Sequence, residues 1–206
     1  MSAALTPPLA QPAPGVPFTY GRDPSAYRWA VWQYQRMVEF GILTADDKVE
    51  LLEGHVVYKM PRNPPHDGTV LRLTKRLRPH LPAGWDVRAQ SALVLPDGQP
   101  EPDVAVVREQ PDDYTTRHPE PRDVGLLVEV ADTSLLYDRR AKAGMYARAG
   151  VAVYWIANIP DRSIEAHTQP SGGAYAAVTH YHPGDLVPLV LDGVAVARIP
   201  AADLLP

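Results

Sequence analysis

The chain has no cysteine, which excludes disulfides, thiolate metal sites and a cysteine nucleophile. No apolar run approaches the roughly 18 residues of a membrane span. The N-terminus lacks the basic head and apolar stretch of a secretory signal, so a soluble, cytoplasmic protein with no membrane partner is the expectation. No glycine-rich phosphate loop and no G-x-S-x-G elbow occur, which sets aside P-loop and serine-hydrolase chemistry. Basic charge is not in excess: 20 Lys and Arg stand against 24 Asp and Glu, for a formal net charge of -4. A nucleic-acid partner would therefore have to be met by local patches. His55, His80, His118, His167, His180 and His182 form no zinc-ligand spacing.

What is present suits one ordinary domain. The chain has 206 residues, 45% of them hydrophobic, and 23 prolines that punctuate its elements. Prolines at 7, 8, 12, 14 and 17 mark residues 1–20 as a flexible Pro/Ala-rich tail, leaving 21–206 as the folded domain. Asp23-Pro24-Ser25 predicts a helix start, with Trp29, Trp32, Arg36, Met37 and Phe40 on one face and Gly41 as its stop. Lys48 to Met60 reads as a hairpin turning at Glu53-Gly54. A second helix over 67–80 carries Val70, Leu73 and Leu77 at helical spacing. Strands are expected over 84–95, 103–107, 124–130 and 151–156, a helix over 138–149, and short antiparallel strands over 163–169, 175–181, 186–190 and 194–199. The nearly all-apolar stretch 124–130 fits a central strand covered on both faces. Helices and strands in this order predict an α/β or α+β fold with a mixed sheet.

Two acids interrupt these apolar strands: Asp103, after Pro102, and Glu129, within Leu127-Val128-Glu129-Val130. A charge in a buried strand is costly unless paired, hydrogen-bonded or bound to metal. Mg²⁺ takes oxygen ligands, commonly one or two carboxylates plus waters and phosphate. Asp103, Glu129 and the carbonyl of Val130 supply such a set, with Glu50 as a further acid. Lys142, on the helix after the Glu129 strand, would orient an attacking water or neutralise a scissile phosphate.

The run Glu50-Leu51-Leu52-Glu53-Gly54-His55-Val56-Val57, then Pro65-His66, Pro102-Asp103-Val104 and Leu127-Val128-Glu129-Val130 resembles the Uma2 (DUF820) family. So do the ordered Asp138, Lys142, Tyr146, Gly150-Val151 and Tyr154-Trp155-Ile156. That family is described as putative endonucleases of the PD-(D/E)xK superfamily. The resemblance implies a restriction-endonuclease-like mixed β-sheet flanked by helices, with extra antiparallel hairpins. It also implies a DNA substrate, Mg²⁺ or Mn²⁺ as cofactor, and a plausible homodimer. It makes Asp103 and Glu129 the metal acids and Lys142 the displaced lysine, because the usual lysine position is Ala131. Glu50 becomes the acid of the first hairpin. Ala152 and Asn158 depart from the family, standing where acids are common.

Plainer readings exist for each residue. Asp103 is equally a strand-start acid, and Glu129 one half of a buried ion pair with Arg139 or Lys142. Lys142 is otherwise a solvated helix lysine, Tyr146 a core aromatic, Glu50 a hairpin surface acid and His66 a loop histidine. His66 would alternatively touch phosphate or the attacking water. Arg72, Lys75 and Arg76 on the second helix form either a solvated face or a phosphate-contacting stripe. Alternatives to an endonuclease are a catalytically inactive nucleic-acid-binding or assembly module and a hydrolase of non-nucleic phosphodiesters.

Overall fold

A computed structural model describes residues 26–206. The expected tail, Asp23 and Ser25 lie outside the described residues. Helix α1 is Val31–Glu39, and it begins later than predicted because Ala30 is still extended, with φ -72 and ψ 152. The Trp29 N–H donates to the Gly54 carbonyl at 2.7 Å, tying the preceding segment to a hairpin turn. Trp29 is thus outside the helix, and Trp32 and Phe40 are exposed. The buried residue is Tyr34, whose hydroxyl donates to the Val49 carbonyl at 3.2 Å.

That hairpin pairs β1 (Val49–Leu52) with β2 (His55–Tyr58), as predicted. Glu53 (φ 49) and Gly54 (φ 79) make its turn, the positive-φ pair a two-residue hairpin prefers. Helix α2 (Pro64–Leu77) starts at Asn63, whose side chain accepts the His66 N–H, with proline in the first turn. Val70, Leu73 and Leu77 are buried along one face.

The sheet has six strands in the order β3-β4-β5-β6-β7-β8. They are β3 (Trp85–Ala89), β4 (Val104–Arg108), β5 (Val124–Ala131), β6 (Val153–Asn158), β7 (Ser163–Ser171) and β8 (Ala174–Tyr181). All neighbours are antiparallel except β5 and β6, which are parallel. A parallel pair needs a crossover. Here it is α3 (Leu135–Tyr137), a π-helical segment Asp138–Lys142, and α4 (Ala143–Arg148).

Every residue of β5 is buried because both sheet faces are covered. On one face Val128, Trp155 and Val106 pack with Leu73 and Leu77 of α2, and with β9 (Leu186–Leu191), β10 (Val194–Pro200) and the short α5 (Ala201–Leu204). On the other, Leu127, Tyr154 and Ile156 pack with Met145, Tyr146 and Leu52. The result is the expected mixed α+β architecture with additional antiparallel hairpins.

Gly125 shows how closely the β9–β10 hairpin is seated. A Cβ there would stand 2.6 Å from Leu191 Cδ2 and 2.7 Å from Trp85 Cζ3. Gly125→Ala is expected to destabilise the fold by about 1–3 kcal/mol, measured by urea unfolding. An unchanged midpoint would mean that the hairpin is free to lift.

Candidate active site

The sheet places its two interrupting acids side by side. Val104 of β4 is opposite Val128 of β5, so Asp103, one residue before β4, falls beside Glu129. Glu129 alternates with Leu127 and Ala131 and faces the α4 side of the sheet. Both acids are buried.

Asp103 is held from two directions. Its Oδ2 accepts the Val130 N–H at 2.9 Å and a bond from His66 Nε2 at 3.1 Å. Burial would raise its pKa, but the His66 bond, the Lys142 charge and the Val130 N–H outweigh burial and lower it. His66 comes from the first turn of α2, where the Asn63 cap fixes the backbone. Burial disfavours its imidazolium, yet Asp103 and, next, Asp67 raise its pKa above that of a free histidine.

Glu129 is strongly perturbed by its burial. Its Oε1 accepts the Tyr146 hydroxyl at 2.7 Å, and its Oε2 lies 2.9 Å from Lys142 Nζ. Burial, helped by the Asp103 and Asp138 charges, pushes its carboxyl up to about 8 despite Lys142. Burial also works against the Lys142 ammonium, but Glu129, Asp138, Glu50 and Asp103 surround it and raise its pKa. Lys142 therefore stays charged and is a hydrogen-bond donor, not a base. The plain readings of Lys142 as a solvated lysine and Glu50 as a surface acid do not hold: the Lys142 side chain is 12% exposed, and Glu50 is buried. Glu50 Oε2 accepts the Glu101 N–H at 3.0 Å, fastening the hairpin to the segment that delivers Asp103. Tyr146 is both core and site, fully buried with its hydroxyl on Glu129.

Asp138 was not singled out from the sequence as a site acid. It is buried, its Oδ2 accepts the Ser134 hydroxyl at 2.6 Å, and its Oδ1 is 3.9 Å from Lys142 Nζ. Burial raises its pKa, partly offset by Lys142 and Ser134. The one-turn repeat of Asp138, Lys142 and Tyr146 was the available signal. Their i, i+4 spacing puts them on one side, and the Asp138–Lys142 turn that carries the first two is π-helical, a form frequent at functional sites. The segment is anchored from behind by Arg139, whose fork binds both Glu165 oxygens at 2.8 and 2.7 Å. Asn158, where the family pattern favours an acid, gives its amide to Glu165 at 2.9 Å. Burial would raise the Glu165 carboxyl, but His167, Arg139 and Asn158 overcome it and hold it well below the ordinary range. His167 Nε2 is 3.8 Å away, so the Arg139 and Asn158 bonds are the direct ones.

A cavity of about 920 Å³ opens over these groups. Glu50, Asp103, Glu129, Val130, Asp138, Lys142 and His66 line it, joined by Lys59, Arg62 and Arg140. Arg72, Lys75 and Arg76 do not line it. They are exposed on α2, whose buried face is taken by Val70, Leu73 and Leu77 and whose first turn alone, through His66, reaches the site.

The donor set suits a hard cation in charge and in chemistry. Four buried carboxylates (Glu50, Asp103, Glu129 and Asp138) surround one ammonium and one imidazole. Asp103 Oδ1 carries no hydrogen bond among the described residues, since both bonds fall on Oδ2. Val130 turns its N–H toward Asp103, while the Ala131 carbonyl takes the Ile159 N–H on the β6 side; the alternation leaves the Val130 carbonyl on the cavity side. Among the described residues no three His, Cys, Asp or Glu are grouped as a metal cage. A Mg²⁺ site of two carboxylates, a carbonyl and waters does not require one.

No curated protein matches the chain. Among solved structures, a putative nuclease belonging to DUF820 from Anabaena variabilis ATCC 29413 has the same fold. It superposes with a TM-score of 0.56 at 14% sequence identity, over 81% of this chain and 94% of that one. The family model Uma2, described as putative restriction endonuclease, matches residues 32–199. That span includes every strand of the sheet and every residue of the acidic cavity floor, and the chain belongs to the Uma2 family.

Proposed function

We propose that the protein is a metal-dependent DNA endonuclease that hydrolyses phosphodiester bonds at the Asp103–Glu129 cavity. The observation that carries this is the meeting of two acids from adjacent strands, Glu129 within β5 and Asp103 one residue before β4, with the Lys142 ammonium 2.9 Å from Glu129. Asp103, Glu129 and the Val130 carbonyl would hold Mg²⁺ or Mn²⁺, with Glu50 assisting. When bound, the divalent ion supplies Lewis acidity toward a phosphoryl oxygen and toward water.

The chain's own residues do the rest. Lys142, charged throughout, offers its remaining N–H groups to a water or to a non-bridging phosphate oxygen, where negative charge grows during in-line attack. Tyr146 fixes the Glu129 carboxylate so that one oxygen stays turned to Lys142. His66 bonds Asp103 through Nε2 and Asp67 through Nδ1, so toward a phosphate at the cavity wall it would act by its charge rather than by a free ring N–H. Arg139, through Glu165 of β7, ties the π-helical segment to the sheet. A C₂ homodimer would supply one site for each strand of a duplex.

The test is nicking of supercoiled plasmid in Mg²⁺ or Mn²⁺. Wild-type protein converts it to open circles, and Asp103→Ala or Glu129→Ala abolishes the conversion. Full activity in either variant refutes the site. One observation favours the competing reading of an inactive binding or assembly module: both Glu129 oxygens already have partners. Calorimetry separates the two, since that module would give no Mn²⁺ binding heat.

A further inference from the structure

We infer that the strand cut at this site enters it unpaired, so that single-stranded or locally melted DNA is the preferred substrate. The inference rests on the endonuclease reading and adds the form of the nucleic acid. Three observations support it.

The first is depth. The side chains of Asp103, Glu129 and Lys142 are 9%, 2% and 12% exposed, so a scissile phosphate must descend into the cavity to meet them. The second is the rim. Tyr58 and Met60, at the end of β2, and Leu136, on α3, line the cavity yet remain 39%, 53% and 67% exposed. They form an apolar lip above a highly charged floor. The third is charge. Arg62 and Arg140 also line the cavity and have no ion pair among the described residues, whereas their neighbour Lys59 is neutralised by Glu101 at 2.6 Å.

An intact duplex offers phosphates on its outside but keeps its base faces stacked inward, so it has nothing to place on an apolar lip. An unpaired strand offers both. Its base faces settle on aromatic and aliphatic side chains, while its phosphates meet cations tracking the backbone. Tyr58, Met60 and Leu136 fit the first role; Arg62 and Arg140 fit the second.

The experiment uses one labelled oligonucleotide, single-stranded and annealed to its complement, with full-length protein in Mn²⁺. The single strand is expected to be cut at least tenfold faster. Arg62→Ala/Arg140→Ala should flatten the slope of log affinity against log salt for the single strand by about 1.4, two contacts at about 0.7 each. Tyr58→Ala/Met60→Ser/Leu136→Ser should weaken single-strand binding about tenfold, as expected when the ring on which a base stacks is lost with the lip around it. All five residues are exposed, and circular dichroism confirms folding of the variants. Duplex cut as fast as single strand, or a salt slope unchanged in the arginine variant, overturns this inference and leaves the endonuclease reading standing. Cleavage of neither form overturns the endonuclease reading instead.

Discussion

Lys142→Met is expected to lower plasmid nicking by about 10²–10³-fold, the usual penalty for removing a donor aimed at developing charge. It is also expected to destabilise the protein, by about 3–5 kcal/mol above pH 8 where Glu129 is ionised, because half of a buried ion pair is then left behind. Methionine keeps the unbranched stem of lysine, so the packing around Ala143 and Met145 is undisturbed and the lost charge dominates. Glu129 keeps its Tyr146 hydrogen bond but loses the cation 2.9 Å away, and its carboxyl must hold its proton to a still higher pH. Between about 4.5 and 8 both folded proteins hold that proton, so the deficit is level there; it grows as pH rises above about 8, where only the wild-type carboxyl ionises. Urea unfolding at pH 7 and pH 9, beside the nicking assay, reads both effects. Wild-type nicking with the stability loss intact would make Lys142 a structural counter-ion only.

The acids that define the site could be read from the sequence because of where they interrupt. Glu129 stands inside a strand of valine, leucine and alanine, Asp103 at the entry to another, and such buried positions tolerate a carboxylate only with strong compensation. The face of α2 was equally legible, since Val70, Leu73 and Leu77 follow the helical period and meet a sheet that buries them. The same argument failed at α1. Trp29, Trp32 and Phe40 satisfy a period, but a period says which residues could share a face and not whether a partner lies opposite; here Tyr34 is the one that packs.

Asp138 was hidden for a related reason. A carboxylate followed by Arg139 and Arg140 looks like a solvated helix start, and its i, i+4 alignment with Lys142 says that the two share a side but not that this side is buried. Arg62 and Arg140 carry no local signal either. Each is an ordinary surface cation in sequence, and only the cavity between β2, α2 and the crossover makes them neighbours. The α2 stripe of Arg72, Lys75 and Arg76 is the converse, a clear pattern in sequence that the fold turns away from the cavity. Local composition reports compensation within an element; it does not report which loops converge.

Mn²⁺ is expected to raise the melting temperature, and to do so more at pH 8 than at pH 5. Folded Glu129 holds its proton to about pH 8, whereas its ordinary value is 4.5. Between those values the folded state binds more protons than the unfolded one. Metal-free stability therefore falls as pH rises from about 4.5 to about 8 and levels off above that. A divalent ion among Glu50, Asp103 and Glu129 offsets the same carboxylate repulsion that the proton offsets, and it competes with that proton at low pH. At a free Mn²⁺ concentration 100 times its Kd, the stabilisation is about 2.7 kcal/mol. For a protein of this size that corresponds to about 5–11 °C. Asp103→Asn, which retains an acceptor for the Val130 N–H but lacks the charge, should reduce the shift at pH 8 to about 1–2 °C, within a fraction of a kcal/mol. Differential scanning calorimetry at the two pH values, with and without Mn²⁺, gives the answer directly. A shift that is equal at both pH values, or that survives Asp103→Asn, would place the ion elsewhere on the surface; no shift at all would mean that Lys142 alone balances these acids and that the cavity is not a metal centre.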